Sequence, residues 1–481
     1  MFLLYHQSHA EAHVILHSRH RRLHLARRTF SAFALLSSFV WPFVRAEAQQ
    51  SRVPVPRDTA RISLPDALTR ALRANPELAA TRLDIAVAQG QLRQARLIRS
   101  NPSADFLTTG SSGTRPEIGL SQEIEIGGQR GRRVAVANAG VARARLGTAN
   151  ATRVTLADVE RDFYRIVAAG RRAALADEVL ALNERLAQVA VRQLREGEIS
   201  KLDYNLTVIE LGRSRSQALG AHRDQESASL EFRRLVGIAT DVVVVPVYDS
   251  LHRHARIDSA RGTVELRWST LATGRTLAGA PATDTLVTLD GLLSRAISQR
   301  PDLAERDAAI SEAQALVSLS RREALPNLLA RVVVEQSNDG GRTAIRPGIG
   351  MSLPVFNRQQ GETEARRAAA SQAMLDRVAT ATRVRVEVEQ SYRAYEAAAT
   401  AVEVLESTVL GPARDNRRLL EAAYREGKVG LPVLLLIRNQ VIGAEQDYWT
   451  AWLAEREALA ELAAAIGLGR DEASVMEGVR E

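Results

Sequence analysis

Apolar and polar positions alternate along this chain with two different periods, and the same order of periods occurs twice. Each copy begins with apolar residues three or four positions apart, which predicts an amphipathic helix from about Leu64 to Arg99 and from about Leu289 to Arg322. Pro76 and Pro301 stand at the same relative place in the two copies. Each proline predicts a break or kink in its helix.

Strictly alternating segments follow each helix. In the first copy Ile118, Leu120 and Ile124 are separated by small or acidic residues, the period of a strand with one apolar and one polar face. The pattern predicts one hairpin in each copy, with strands at about 102–110 and 117–126 and at about 327–337 and 345–356. About ten residues is the length of a tilted strand that crosses an outer membrane. A small soluble hairpin packed on the helices is the alternative that alternation alone leaves open.

A helical stretch without a stop signal then runs from about residue 131 to 194. Its apolar residues fall at alternating steps of four and three, typical of a supercoiled seam: Leu175, Val179, Leu182, Leu186 and Val189, answered in the second copy by Val388, Tyr392, Tyr395, Ala399 and Val402. At 1.5 Å per residue this helix would be roughly 95 Å long. Gly411-Pro412 predicts a kink in the second copy.

One short motif ends each long helical stretch. Arg195-Glu196-Gly197 returns 230 residues later as Arg425-Glu426-Gly427. Glycine is favoured just past a helix C-terminus, and a second helix follows each motif, over about 201–236 and 431–466. The motif therefore predicts the tip of a long helical hairpin, and the repetition predicts two tandem structural units.

The N-terminal 48 residues have the pattern of a secretory signal, with an arginine pair, an apolar stretch and Ala46-Glu47-Ala48 as the cleavage site. Removing them lowers the formal net charge from +8 to +4, so the basicity belongs largely to the signal and nucleic acid is not an expected partner. The same segment carries six histidines at helical spacing: His6, His9, His13, His17, His20 and His24. They would be discarded with the signal, which disfavours a metal site.

The patterns predict five segments. They are the signal peptide 1–48, the first repeat 49–238, an inter-repeat linker region 239–286, the second repeat 287–468 and a C-terminal tail 469–481.

Little in the mature chain points to catalysis. The sequence contains no cysteine, which excludes disulfides and thiolate chemistry. His252 and His254 have no third ligand in sequence and are interpreted as loop residues, and the run Gly127-Gly128-Gln129-Arg130-Gly131 lacks the spacing of a phosphate-binding loop. We expect no enzyme activity, no cofactor and no resident metal.

The two-copy order of helix, strand pair, long helix, tip and long helix resembles the TolC family of outer-membrane efflux channels over about residues 60–468. The resemblance is carried by Leu64-Pro65-Asp66-Ala67-Leu68 with Asn75-Pro76, and by the tips Leu194-Arg195-Glu196-Gly197 and Tyr424-Arg425-Glu426-Gly427. Residues 122–130, Gln-Glu-Ile-Glu-Ile-Gly-Gly-Gln-Arg, are similar to the CzcC-like members that serve heavy-metal cation efflux.

This resemblance implies a mostly helical fold with a transmembrane β-barrel part. Three copies would form an α-helical periplasmic tunnel and share a twelve-stranded barrel in outer-membrane lipid. The channel would export its cargo passively from a periplasmic adaptor and an inner-membrane RND-type pump. Drug efflux and type I secretion are alternatives within the class, and a periplasmic coiled-coil scaffold is the alternative outside it.

The tips are the expected adaptor contacts, and the residues beyond them the expected pore constriction. The adaptor contacts are Arg195, Glu196, Gly197, Lys201, Arg425, Glu426, Gly427 and Lys428. Lys201 and Lys428 are the only lysines of the chain. A role in adaptor contact is one explanation for their place at the tips, and a coding bias towards arginine is the other. The candidate constriction comprises Asp203, Val433, Leu434, Leu435 and Leu436. We expect a charge placed at Leu434 or Leu435 to alter leakiness.

Overall fold

The computed structural model describes residues 59–109, 115–248, 255–258, 263–266, 286–336 and 343–467 of the chain. The chain divides into Met1–Val55 and Pro56–Glu481, and every described residue belongs to the second unit. The predicted signal segment with its histidine cluster, the two hairpin turns, His252, His254 and the tail 469–481 lie outside the described residues.

The described elements follow the same order in both halves of the chain. They are β1 (Thr59–Ser63), α1 (Leu64–Ala74), α2 (Pro76–Arg96), β2 (Ser103–Thr109), β3 (Arg115–Ile124), α3 (Gln129–Glu196), α4 (Lys201–Val236), β4 (Val243–Val247), β5 (Ala255–Asp258), β6 (Thr263–Leu266), β7 (Leu286–Val287), α5 (Leu289–Gln299), α6 (Pro301–Glu323), β8 (Leu328–Gln336), β9 (Thr343–Met351), α7 (Gln360–Val404), a π-helical segment (Leu405–Val409), α8 (Leu410–Arg425) and α9 (Leu431–Ala465).

The residue before each early proline joins the two ends of its repeat. Asn75 caps α2 by accepting a hydrogen bond from the Leu78 amide at 2.9 Å, and its amide group donates to the Leu235 carbonyl at 2.9 Å. In the second repeat Arg300 occupies the equivalent place and donates to the Ala465 carbonyl at 3.0 Å. Both repeats are therefore closed by a polar side chain that meets the end of their last helix.

Four strands form one antiparallel sheet in the order β2-β3-β8-β9. Both hairpins are present, and β3 pairs with β8 to join them. The fourth strand ends at Met351 rather than at residue 356. Pro354 follows closely, and proline has no amide hydrogen for a strand ladder.

The long helices pack in a fixed order around α3 and α7. On the sheet side α2 packs on α3, α3 on α6 and α6 on α7, and towards the tips α4 packs on α3, α3 on α9 and α9 on α7. Two apolar cores lie where the first helices of each repeat meet the long ones. The first contains Phe163 and Phe232 together with Trp452 of α9, and the second contains Leu292, Tyr395 and Leu462. With 68 residues, α3 spans about 100 Å.

The region between the repeats is tied back to the start of the chain. Strand β4 pairs in parallel with β1, a strand that the helical pattern of the first copy does not predict, with Thr59 opposite Val243 and Ser63 opposite Val247. Strands β5, β6 and β7 pair in that order. Residues 239–286 therefore contribute to a small sheet beside the first core as well as linking the repeats.

The expected irregularity in the second long helix lies just before Gly411-Pro412. The helix widens into the π-helical segment Leu405–Val409, where the Leu410 amide donates to the Leu405 carbonyl five residues earlier. Proline at 412 has no amide hydrogen to donate to the carbonyl four residues earlier. No helix of the described ranges is long and apolar enough to cross a membrane.

Candidate functional site: an amphipathic sheet and two helical tips

The strand register gives the four-stranded sheet one apolar and one polar face. Directly paired residues share a face, so the rows Phe106–Ile118–Val334–Ile345 and Leu120–Val332–Pro347 lie on the same side. The apolar side also carries Ala104, Ile124, Leu328, Ala330, Ile349 and Met351. Many of these side chains are exposed; Ile349, for example, is 78% exposed. A row of exposed apolar residues across a whole sheet is typical of an interaction surface or a lipid-facing surface.

The opposite side of the sheet carries Leu107, Leu329 and Val333 but is dominated by charged and hydroxyl side chains. They are Ser103, Asp105, Glu117, Ser121, Glu123, Arg331, Glu335 and Arg346. Several are bonded to each other: the Ser103 and Ser121 hydroxyls lie 2.8 Å apart, and Arg346 forms an ion pair with Glu335. A polar face of this kind can line a water-filled path. Its side chains bond to each other and leave the face open to water.

Among the strands that the structure describes, β2 and β9 are the outer ones of this sheet, and each is paired on one side only. Unpaired backbone amides and carbonyls on a strand favour pairing with another strand. In lipid such an edge is not tolerated, since no water is present to satisfy it. The sheet is therefore incomplete as a single chain.

The glycine run after β3 forms a strand-to-helix turn. Gly128 is the residue before α3. The Gln129 side chain donates to Asn327 Oδ1 at 3.0 Å, and Arg133 forms an ion pair with Glu125. The contact of Gln129 joins the two hairpins beneath the sheet, and the ion pair of Arg133 fixes the turn between β3 and α3. Together they account for the motif without a bound phosphate.

The first tip is closed by hydrogen bonds within the motif. Gly197 has a φ of 76°, the left-handed conformation that glycine adopts without strain, and its amide donates to the Leu194 carbonyl at 3.3 Å. Arg195, Glu196 and Lys201 are exposed. Lys201 lies 6.0 Å from the centre of the Tyr204 ring.

Asp203 belongs to the cap of α4. The Ser200 amide donates to Asp203 Oδ2 at 3.3 Å, and the Asp203 amide donates back to Ser200 Oγ at 3.1 Å. This reciprocal capping box accounts for the acid at this position. Asp203 thus has a structural role at the first tip.

The second tip repeats the turn but not the cap. Gly427 has a φ of 69° and donates to the Tyr424 carbonyl at 3.0 Å. Exposed Lys428 and Glu426 form an ion pair at 2.5 Å, and Arg425 is the last residue of α8. Helix α9 begins after Gly430 without a side-chain cap, with Pro432 in its first turn.

The apolar run of the candidate constriction divides between two faces of α9. Leu434 and Leu435 are 6% and 7% exposed, whereas Val433 and Leu436 are 47% and 62% exposed. The buried pair packs with Leu420 and with Leu186 of α3. Leu434 and Leu435 therefore support the hairpin from inside the protomer, and only Val433 and Leu436 present apolar surface outside it.

Polar contacts join the second helical hairpin, formed by α8 and α9, to α3. The sequence pattern does not predict these contacts. Arg438 Nη1 donates to Asn183 Oδ1 at 2.8 Å, and Arg417 Nη2 forms an ion pair with Glu178 at 2.7 Å. Farther from the tip, the Tyr448 hydroxyl donates to Glu406 at 3.1 Å. Burial together with that carboxylate raises the pKa of Tyr448 to about 12. No sequence signal marks these arginines among the many others.

A buried ion cluster lies where the two repeats meet. Arg300 forms ion pairs with Asp302 at 2.8 Å and with Glu387 at 2.9 Å. Burial and the nearby charge of Arg300 lower the pKa of Arg153. For Asp302 burial acts to raise the pKa, but the hydrogen bonds and charge of Arg300 lower it overall. Within the described ranges, no three histidine, aspartate or glutamate side chains are grouped so as to hold a metal ion.

Comparison with known proteins finds a family match in the second repeat and one similar relative of known name. Residues 292–468 match the family described as outer membrane efflux protein. The chain is 25% identical over 342 residues to the cobalt-zinc-cadmium resistance protein CzcC of Cupriavidus metallidurans, covering 70% of this chain and 74% of that protein.

Solved structures share the fold over most of the chain. The CmeC outer membrane channel of Campylobacter jejuni superposes with a TM-score of 0.70 at 14% identity, covering 87% of this chain and 89% of that one. The MtrE outer membrane channel of Neisseria gonorrhoeae gives 0.63 at 18% identity, covering 85% and 90%. CusC gives 0.62 at 15% identity, covering 88% and 99%. The second repeat therefore matches the outer membrane efflux protein family, and most of the chain shares the fold of these outer membrane channels.

Proposed function

We propose that this chain is the outer-membrane channel of a tripartite efflux system that exports heavy-metal cations. The observation that carries the channel proposal is the sheet, whose apolar face is exposed across all four strands while its polar face carries hydroxyls and charges. The cargo rests on the similarity to CzcC, a cobalt-zinc-cadmium resistance protein.

Three copies would supply the strands that one chain lacks. With β2 and β9 each open on one side, three four-stranded sheets can close into a twelve-stranded barrel without free edges. The apolar face would then meet lipid and the polar face would line the path. The cations are cargo, so the protein supplies a water-filled route and no chemical step.

The exposed tips suit contact with a periplasmic adaptor protein. Arg195, Glu196, Lys201, Glu426 and Lys428 are all exposed, and each tip carries both charge signs. Complementary charges on a partner would fix its orientation more than they would add affinity. The adaptor would connect the channel to an inner-membrane RND-type pump that supplies the driving force.

We place the candidate constriction on the exposed part of the second tip. Val433 and Leu436 lie three positions apart on one face of α9 and are free of the protomer core. Leu434 and Leu435, which the sequence alone ranks equally, are occupied in packing the hairpin. Three copies of an exposed apolar pair could narrow the tunnel by excluding water.

Deletion of the gene, followed by growth on graded metals and drugs, tests this function. We expect increased sensitivity to one or more of zinc, cobalt, cadmium, nickel and copper, restored by the wild-type chain supplied in trans. The same panel should include antibiotics and detergents. Sensitivity to drugs alone would reassign the cargo, and unchanged growth on every compound would contradict an efflux role.

A further inference from the structure

Two apolar segments stand at opposite edges of the molecule just beyond the sheet. On one edge Leu97 and Ile98 connect α2 to β2, and both side chains are exposed. On the other edge Leu353, Val355 and Phe356 connect β9 to α7, and Phe356 is 92% exposed. Helices α3 and α6 lie between α2 and α7, so the two segments belong to different edges of one layer.

The register of the sheet puts both segments at the same level. Ile124, Leu328 and Met351 form the last paired row. Continuing the β2–β3 register, in which Ser103 faces Ser121, brings Ser100 opposite Ile124. The Ser100 carbonyl accepts from the Gln122 side chain at 2.8 Å, which holds this stretch against β3. Ile98 and Leu353 therefore lie equally far beyond the last row, at opposite edges.

The segment that presents Phe356 is held by its own hydrogen bonds. The Val355 amide donates to the Leu353 carbonyl at 2.9 Å, the Gln360 side chain donates to the Phe356 carbonyl at 3.2 Å, and Asn357 accepts from the Gln359 amide at 3.0 Å. Gln359 also has a φ of 57°, uncommon for a residue other than glycine. A well-bonded turn that holds an aromatic ring outside its own protomer resembles a preorganised anchor.

We infer that Leu353, Val355 and Phe356 of one copy dock on Leu97 and Ile98 of the next copy, forming an edge clasp beneath the sheet. The inference rests on the proposed channel and adds the surface through which its subunits are joined. The partner is a second copy because the clasp continues the two open strand edges, β9 on one side and β2 on the other.

The charges of the edge strands agree with this pairing. On the polar face, β2 carries Asp105, the third of its seven residues, and β9 carries Arg346, the fourth of its nine. Strand β2 runs away from α2 and β9 runs towards α7, so the two edges of neighbouring copies meet antiparallel. Because the two segments differ, the contact is head-to-tail and repeats around a closed ring.

The absence of cysteine from the chain makes the clasp testable by cross-linking without background. The variant Ile98→Cys with Phe356→Cys, treated with a mild oxidant or a short bis-maleimide in outer-membrane fractions, should give linked dimers and trimers on denaturing gels. The matched control is Ile98→Cys with Leu83→Cys, since Leu83 is also exposed but lies on α2, on the same edge as Ile98.

Each outcome bears on the clasp. The clasp is supported if the variant with Ile98→Cys and Phe356→Cys gives linked trimers in a yield at least tenfold above that of the control with Ile98→Cys and Leu83→Cys. Equal yields, or no linkage in chains that still form outer-membrane trimers, overturn the clasp while leaving the channel intact. Absence of both variants and of the wild type from the outer membrane overturns the channel and the clasp together. As a second measurement, Phe356→Ala should lower the temperature at which the trimer dissociates. Phe356→Leu, which keeps a large apolar side chain, should lower that temperature much less.

Discussion

At the scale of single residues, the two repeats close their ends with different chemistry. Asn75 uses a neutral amide to reach Leu235, whereas Arg300 reaches Ala465 and adds ion pairs to Asp302 and Glu387. The sequence shows the equivalence, since a proline follows both residues. It does not show the partners, because the contacts span 160 and 165 residues and depend on how the helices pack.

The ion pair of Arg300 with Asp302 predicts a pH-dependent stability. The folded state holds the Asp302 pKa below its usual value, so its contribution is present above the unfolded pKa, about 4, and is lost as the pH falls through the folded value. Asp302→Asn should lower the unfolding free energy at pH 7 by about 3 kcal/mol, as expected when a buried pair is broken.

Chemical unfolding of the detergent-solubilised protein at pH 7 and pH 3 measures this effect. The difference between wild type and Asp302→Asn should shrink towards pH 3, and Asp84→Asn, an exposed aspartate on α2, is the control. A difference that stays constant between the two pH values would show that the charge of Asp302 does not contribute.

At the scale of elements, the two tips share a turn and differ in what supports it. The left-handed glycines at 197 and 427 were predictable from sequence, because few other residues suit that position. The division of the apolar run at the second tip was not predictable. Four consecutive apolar residues give no periodicity, and only the packing of α8, α9 and α3 decides which of them are buried.

Alanine substitutions along that run should separate packing from pore lining. Leu434→Ala and Leu435→Ala remove buried side chains and should each lower the unfolding free energy by about 2–5 kcal/mol. Val433→Ala and Leu436→Ala should change it by less than about 0.5 kcal/mol, yet raise single-channel conductance in planar bilayers. Equal destabilisation by all four variants would contradict this division, and unchanged conductance in the exposed pair would remove the constriction from this site.

At the scale of the whole molecule, two copies of one unit make a structure that is still unfinished. The order of helix, hairpin, long helix and tip could be predicted because each element has its own period in the sequence. The pairing of β1 with β4 could not, since five-residue strands whose paired residues lie 184 positions apart carry too little pattern. A single chain leaves two strand edges unpaired and one apolar sheet face exposed. Two further copies would cover the edges, and outer-membrane lipid would cover the face.

The most direct test of this account compares charges on the two faces of β3 in one gel assay. Leu120→Glu puts a carboxylate on the apolar face, and Ser121→Glu puts one on the polar face at the adjacent position. In unheated samples of the outer-membrane fraction, wild type and Ser121→Glu should run as a trimer that heating converts to monomer, and Leu120→Glu should lose at least half of that band. Wild-type protein found as a soluble periplasmic monomer, or a trimer equally tolerant of both substitutions, would contradict an outer-membrane channel built on this sheet.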